Sequence, residues 1–194
     1  MKKYPFKFLD AYNKEDKDIF FGREAEIDEL YRLVFQTNLL LVYGASGTGK
    51  TSLIRCGLSN RFKSTQWLDL YIRRGPNINQ SLLDTVLKNT PQLAAAGMEQ
   101  EDEMDWFESL IDAESDKGPA VAVSEGESES EIAKALNELY LAAFTPIYLI
   151  FDQFEELFTL GKEEEQRHFT NTIKELVQLP LPLKIIIVMR EEYL

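Results

Sequence analysis

The chain has very few of the residues that form covalent cross-links or bind transition metals. Its 194 residues include one cysteine, Cys56, and one histidine, His168. A single cysteine excludes a disulfide within the chain, which is typical of a reducing compartment, and we expect a cytoplasmic protein. One histidine without a cysteine cluster argues against a zinc site. The sequence also lacks the run of roughly 20 apolar residues that a membrane helix needs, and it has no signal peptide.

Positive charge is also scarce. The chain has 21 lysines and arginines against 33 aspartates and glutamates, which gives a net charge of −12. Binding to nucleic acid or to an anionic membrane without sequence preference requires a surface rich in Lys and Arg, so neither partner is expected unless a local basic patch exists. The composition is otherwise globular, with 44% hydrophobic and 28% charged residues, and the length suits a single domain over residues 1–194.

Four short apolar runs alternate with segments of helical periodicity. The predicted strands cover residues 38–43, 66–73, 147–151 and 183–189. The predicted helices lie around residues 24–35, 50–62, 81–88, 104–111, 128–143 and 169–177. The first run is typical of a strand that is buried on both faces. The alternation predicts an α/β fold of three layers, in which a parallel sheet is flanked by helices.

Residues 112–130 differ from the rest of the chain. They are small, acidic and of low complexity, which predicts a flexible acidic insertion in the domain. Ser128 and Glu131 have the spacing of a capping box, so we expect the following helix to begin at this point.

A glycine-rich segment follows the first predicted strand and precedes a predicted helix. It matches the phosphate-binding pattern G-x-x-x-x-G-K-[ST] at Gly44, Ala45, Ser46, Gly47, Thr48, Gly49, Lys50 and Thr51. Glycines allow the backbone N–H groups to point at phosphate oxygens, and the start of the following helix adds a positive dipole. Lys50 is placed to contact the β- and γ-phosphates, and Thr51 to bind Mg²⁺. The segment therefore predicts a site for a polyphosphate.

The third predicted strand ends in a carboxylate, Asp152. An apolar strand followed by aspartate is the Walker B pattern, in which the carboxylate holds Mg²⁺ across from the hydroxyl of Thr51. The pattern is common on its own, and it gains weight from the phosphate-binding segment upstream.

Two glutamates after this strand, Glu155 and Glu156, are candidates for the base that activates water. Gln153, the residue next to Asp152, cannot act as a general base. We prefer Glu155 because it lies nearer the end of the strand. Alternatively, both glutamates are acidic residues at a helix N-terminus, where the helix dipole favours negative charge.

Two arginines carry further hypotheses. Arg190 ends the fourth predicted strand, and ligands of parallel sheets bind at the carboxyl ends of the strands, so Arg190 could contact the γ-phosphate. Alternatively, it is a surface residue that pairs with Glu191 or Glu192. Arg23 follows Gly22 just before the first helix, and this turn either packs beside an adenine or simply begins the helix.

Four segments, taken together, resemble one family. They are residues 5–24, which include Phe-Phe-Gly-Arg, residues 44–51, residues 149–158, which include Asp-Gln-Phe-Glu-Glu-Leu-Phe, and residues 189–194. The combination resembles the STAND-class P-loop NTPases, specifically the novel STAND group. Phe8 stands where that group often has glycine.

The resemblance implies that the chain binds ATP or ADP with Mg²⁺ and that its nucleotide state controls homo-oligomerisation and signalling. It implies that Gly22 and Arg23 face the nucleotide and that Arg190 senses the γ-phosphate. It further implies a P-loop fold of the AAA-like type, truncated before its fifth strand and lid. We therefore expect a fragment of a larger chain that continues into a C-terminal repeat sensor domain.

Several functions are compatible with these residues. The leading interpretation is an ATP-binding switch with slow hydrolysis. One alternative is an AAA+ or origin-recognition-like ATPase that acts on nucleic acid, which the net charge of −12 disfavours. Another is a nucleotide-binding scaffold without turnover. A small-molecule P-loop kinase is least favoured, because the sequence has no arginine-rich lid segment.

Overall fold

The four predicted strands pair into one parallel sheet. The computed structural model describes Lys7, residues 10–90 and residues 130–194. The strands are β1, Leu39–Gly44; β2, Leu68–Ile72; β3, Ile147–Phe151; and β4, Leu183–Arg190. They lie in the order β1-β4-β3-β2, and every neighbouring pair is parallel. The segments that follow the strands are therefore brought together at one edge of the sheet.

Helices cover both faces of the sheet, which confirms the predicted layers. The helices are α1, Glu24–Gln36; α2, Lys50–Ser52; α3, Ile78–Asn89; α4, Glu131–Ala143; α5, Glu156–Thr159; and α6, Glu163–Gln178. One buried cluster packs α3, α4 and α6 against the sheet, and a second packs α1 and the segment after α2 against the opposite face. Because each fully buried Leu, Ile or Phe side chain stabilises the fold by roughly 1.5–3 kcal/mol, these two clusters fix the layers.

The prediction that β1 is buried on both faces is wrong. Leu40 and Val42 pack against the second cluster, whereas Leu39, Leu41 and Tyr43 are 40%, 41% and 57% exposed. β1 lies at an edge of the sheet. Its face with Leu39, Leu41 and Tyr43 is only partly covered by the described residues. An apolar run reports how hydrophobic a strand is, but it does not report what packs against each face.

Two helices begin where a side chain caps them, and not at the predicted residue. The Ser130 hydroxyl accepts a hydrogen bond from the Ala133 N–H at 3.2 Å, so α4 begins at Glu131 with Ser130 as its cap, and not at Ser128. The Asn77 side chain caps α3 in the same way, which moves the start of that helix ahead of the predicted one. Side-chain capping satisfies N–H groups that have no partner inside the helix.

The helix after the phosphate-binding segment is irregular. α2 continues as a π-helical segment, Leu53–Leu58, and then as a 3₁₀ turn, Ser59–Arg61. Cys56 is buried in this segment, as a packing residue would be. π-helical turns are rare and occur mostly at functional sites. Helical periodicity alone did not predict this one.

A side chain at Gly57, in the same segment, would collide with α1. A Cβ atom at this position would lie 2.6 Å from Ile27 Cγ1 and 2.8 Å from Ile27 Cδ1. We expect Gly57→Ala to lower the free energy of unfolding by about 1–3 kcal/mol in urea denaturation, because the added methyl group forces α1 outward. Ile27→Ala removes both obstructing atoms, so the double variant should be more stable than the sum of the single losses predicts. Strict additivity would contradict this explanation.

Two sequence predictions lie outside the described residues. They are the helix around residues 104–111 and the acidic insertion of residues 112–130, except for Ser130 at its end. Among the helices that the structure does describe, none combines the length and the apolar character needed to cross a membrane.

Candidate functional site

A cavity of about 580 Å³ opens at the carboxyl edge of the sheet. Its walls come from the P-loop (residues 44–51), the turn after β3, the end of β4 and the N-terminal segment. Parallel sheets bind ligands at this edge, because the loops that follow the strands converge there. The cavity therefore brings together most of the residues that the sequence singled out separately.

The P-loop has the curled backbone that its glycines permit. Gly47 and Gly49 have φ angles of 75° and 77°, in the left-handed region that residues with a side chain rarely adopt. Lys50 begins α2, and its ammonium group donates to the carbonyl oxygens of Gly44 and Ala45, both at 2.8 Å. The lysine is thus held against the loop by two neutral backbone acceptors.

The other P-loop side chains fix the loop or line the cavity. The Thr48 hydroxyl donates to the Ala45 carbonyl at 2.9 Å, which closes the loop on itself. Ser46 and Thr51 line the cavity together with Gly47, Gly49 and Lys50.

Thr51 and Asp152 meet in the cavity although 101 residues separate them. The Thr51 hydroxyl donates to Asp152 Oδ1 at 3.0 Å, and Asp152 is only 4% exposed. A hydroxyl and a carboxylate are hard oxygen donors of the kind that Mg²⁺ takes, with water and phosphate oxygens as its remaining ligands. The two residues therefore fit the predicted metal site. Thr51 and Asp152 would hold Mg²⁺, which would supply positive charge to offset the negative charge of a bound phosphate.

The second oxygen of Asp152 faces an arginine that the sequence analysis missed. Arg73 Nη2 donates to Asp152 Oδ2 at 3.2 Å. Arg73 follows the last residue of β2, although it was predicted to lie inside the strand and had no predicted role. Its position at the carboxyl end of a strand was the available signal, and the same signal singled out Arg190.

Glu155 and Arg190 form an ion pair in the cavity wall. Arg190 Nε lies 3.0 Å from Glu155 Oε1, and the backbone N–H of Arg190 donates to Glu155 Oε2 at 3.3 Å. Glu155 is 8% exposed, so these contacts hold a nearly buried carboxylate. The partner of Arg190 is thus Glu155, and not the Glu191 or Glu192 that the sequence offered as alternatives.

The turn after β3 decides which glutamate faces the cavity. Gln153 has a φ of 59°, a left-handed conformation that costs a residue with a side chain roughly 1–2 kcal/mol. The Phe154 N–H donates to the Val188 carbonyl at 2.9 Å, which fastens this turn to β4. Glu155 then lines the cavity, whereas Glu156 begins α5, is half-buried and does not line it.

Arg23 contacts the P-loop from outside the cavity, and Gly22 lies next to it in the chain. Arg23 Nη1 donates to the Thr48 carbonyl at 2.8 Å, and Arg23 Nε donates to Glu26 Oε1 at 2.7 Å. The Gly22 N–H donates to Glu24 Oε1, which lowers the pKa of that carboxyl below its ordinary value. Within the described part of the chain, neither Gly22 nor Arg23 lines the cavity.

The cavity is rich in positive charge although the chain is acidic. Its ionisable lining consists of five cations and three carboxylates: Lys7, Lys50, Arg55, Arg73 and Arg190 against Asp10, Asp152 and Glu155. Such a local excess attracts polyanions.

The backbone N–H of Tyr12 donates to Ser52 Oγ at 3.1 Å, which attaches the N-terminal segment to α2. Neither Tyr12 nor Arg55 was predicted to belong to the site.

Several solved structures share this fold. The Walker-type ATPase PABY2304 of Pyrococcus abyssi matches with a TM-score of 0.55 and 20% identity, over 96% of this chain and 49% of that chain. The ORC2 protein of Aeropyrum pernix, solved as ADPNP-ADP complexes, matches with a TM-score of 0.50 and 17% identity, over 90% of this chain and 43% of that chain. The chain thus spans less than half the length of either protein, and at these identities the similarity establishes the fold alone.

Comparison of the sequence with family profiles identifies the family as well as the fold. No curated protein sequence matches the chain. The profile of the family described as Novel STAND NTPase 1, however, matches residues 5–194, a range that includes the P-loop, Asp152 and Arg190. The match confirms the resemblance seen in the sequence, and nucleotide binding follows from it as the shared property of such NTPases. The chain therefore belongs to the Novel STAND NTPase 1 family and carries its P-loop NTPase domain.

Proposed function

We propose that the chain binds ATP and ADP with Mg²⁺ and acts as the nucleotide-dependent switch of a STAND-type signalling protein, with slow ATP hydrolysis. The observation that carries this proposal is the hydrogen bond of 3.0 Å between Thr51 and Asp152, in the cavity that Lys50 also lines. These are the three side chains that phosphate and metal require, and the fold brings them together from two distant segments.

In this proposal, Lys50 exchanges its backbone acceptors for phosphate oxygens when a nucleotide binds. Its ammonium group contacts two neutral carbonyl oxygens, on Gly44 and Ala45. A phosphate oxygen carries negative charge and adds Coulombic attraction to the hydrogen bond, so a phosphate is a better partner for Lys50 than a neutral carbonyl. Nucleotide binding then moves the lysine from the loop to the β- and γ-phosphates.

Slow hydrolysis follows from the ion pair of Glu155 and Arg190. We assign the general base to Glu155, which lines the cavity, with Glu156 as the alternative. A carboxylate that contacts both the side chain and the backbone N–H of Arg190 is not free to orient water and accept its proton. A γ-phosphate that attracts Arg190 would release Glu155, so the same arginine would sense the nucleotide and free the base.

The signalling role belongs to the same proposal. The STAND resemblance supports a homo-oligomeric, cytoplasmic parent protein in which a C-terminal repeat sensor controls this domain. The Arg23 contact with the Thr48 carbonyl supports a structural coupling between the N-terminal segment and the nucleotide, because it ties that segment to the P-loop.

Thermal denaturation with nucleotide tests the binding site. A ligand present at a hundred times its dissociation constant stabilises a domain of this size by about 2.7 kcal/mol, which raises Tm by roughly 5–10 °C. We expect Mg-ADP and Mg-ATP to raise the Tm of the unmodified chain by this amount. Lys50→Ala should abolish most of the shift, because it removes the cation that contacts the β- and γ-phosphates.

Lys134→Ala provides the matched control. Lys134 is an exposed lysine on α4, so its removal should leave the nucleotide-induced shift unchanged. If neither nucleotide moves the Tm of the unmodified chain, the proposed binding function is wrong. If binding is normal but ATP turnover equals that of Lys50→Ala, the chain is a scaffold without catalysis.

An ATPase that acts on nucleic acid is the second candidate. The fold similarity to the ORC2 protein is compatible with it, but the net charge of −12 opposes it. Binding to duplex DNA that weakens steeply with added salt would favour this candidate, because such a slope counts released counterions.

A further inference from the structure

Arg73 is the one cation that lies within ion-pair distance of Asp152 in the described part of the chain. Its Nη2 lies 3.2 Å from Asp152 Oδ2, while Thr51 occupies Oδ1. The backbone holds the two residues in register, because the Asp152 N–H donates to the carbonyl of Ile72, the residue before Arg73. The contact is therefore built into the pairing of β2 with β3.

The two partners differ sharply in exposure. The side chain of Asp152 is 4% exposed and that of Arg73 is 59% exposed. A nearly buried carboxylate needs a compensating positive charge, since removal from water penalises its ionised form. An exposed arginine side chain, in contrast, moves away with little loss of packing. The carboxylate is fixed, and its cation is replaceable.

We propose that Arg73 neutralises Asp152 while no metal is bound, and that Mg²⁺ must displace it to reach the carboxylate. The proposal rests on the proposed function, in which Asp152 is a metal ligand. A guanidinium on Oδ2 and a divalent ion on the same buried carboxylate repel each other strongly even when they contact different oxygens, so the arginine and the metal compete.

Because of this competition, the metal binds more favourably together with a nucleotide than alone. A metal ion that arrives alone must displace Arg73 without a phosphate to supply further oxygen ligands. A metal that arrives with a nucleotide brings those oxygens, and the displaced guanidinium finds phosphate charge in the same cavity, where Lys50 and Arg190 also lie. Arg73 thus disfavours occupation of the site by the metal alone.

Manganese affinity tests the proposal. Mn²⁺ replaces Mg²⁺ as a spectroscopic probe, and its binding to the nucleotide-free chain is followed by electron paramagnetic resonance. Since a pair with one exposed partner is worth up to about 1 kcal/mol, we expect Arg73→Gln to tighten Mn²⁺ binding by up to about fivefold. Arg73→Lys keeps the charge and should bind Mn²⁺ as the unmodified chain does. Arg167→Gln is the matched control, because Arg167 is 81% exposed and pairs with Glu163 on α6.

The outcomes separate this proposal from the proposed function. Failure of the unmodified chain to bind ADP would overturn the proposed function, and with it the basis of this inference. Normal ADP binding, together with Mn²⁺ affinity that is unchanged or weaker in Arg73→Gln, would overturn the role of Arg73 alone. Equal tightening in Arg73→Lys and Arg73→Gln would also overturn it, because charge would not be the cause. Thermal denaturation gives a second readout. Without metal and nucleotide, Arg73→Gln should have a lower Tm than the unmodified chain, and Mg-ADP should remove the difference. An equal Tm without these ligands would overturn the role of Arg73.

Discussion

Replacing Arg74 with methionine is expected to lower the free energy of unfolding by about 3 kcal/mol, because it leaves a buried carboxylate without its cation. Arg74 Nη2 lies 2.7 Å from Glu165 Oε2, and the two side chains are 12% and 8% exposed. The other oxygen, Glu165 Oε1, accepts the N–H of Ile78 at 2.9 Å, at the start of α3. The pair therefore joins the turn after β2 to α6 and α3.

Urea denaturation at neutral pH measures the loss, and a double-variant cycle assigns it. Glu165→Gln keeps an oxygen for the Ile78 N–H and removes the charge that Arg74 compensates. We expect Arg74→Met and Glu165→Gln together to cost less than the sum of the two single losses, with a coupling of about 1 kcal/mol or more. Additive losses would show that the two side chains do not stabilise each other.

The same pair predicts how stability depends on pH. Burial works to raise the pKa of Glu165, but the hydrogen bonds from Arg74 and from the Ile78 N–H outweigh it, so the pKa lies below its ordinary value of 4.5. A carboxyl with a lowered pKa in the folded state contributes stability above its ordinary pKa and loses it as the pH falls through the lowered value. This acid-induced loss should be smaller in Glu165→Gln.

The layers and the P-loop were predictable because each depends on short, continuous stretches of sequence. Residues 147–151 are apolar without interruption, and the strand they form is buried along its whole length. The P-loop requires glycines at positions where φ is positive, so its spacing is visible without any knowledge of the fold. The burial of such a strand and the turn of the P-loop depend on residues that are adjacent in the sequence.

The partners of the charged residues were not predictable for the opposite reason. Arg73 and Asp152 are 79 residues apart, and Arg74 and Glu165 are 91 residues apart. Hydrophobic periodicity identifies which face of an element is buried, but it carries no information about which charges meet across two elements. The strand order brings Arg73 to Asp152, because β2 lies beside β3.

Replacing Glu155 with glutamine is expected to slow single-turnover ATP hydrolysis by about 10²–10⁴-fold, the range that a general base contributes. Glutamine retains the size of glutamate and an oxygen for the Arg190 N–H, but it cannot accept a proton from water. Affinity for Mg-ADP, measured by calorimetry, should stay unchanged because ADP lacks the phosphate that water attacks. Radiolabelled ATP with the enzyme in excess gives the rate even where turnover is slow.

Glu156→Gln is the matched control, since Glu156 is adjacent in sequence, half-buried on α5 and outside the cavity lining. Its rate should stay close to that of the unmodified chain, and the reverse pattern would transfer the role of base to Glu156. If only Glu155→Gln is slow at equal Mg-ADP affinity, the base is the carboxylate that Arg190 holds. The slow turnover proposed for the unmodified chain then has a physical cause, because each catalytic event requires this ion pair, 3.0 Å long, to open first.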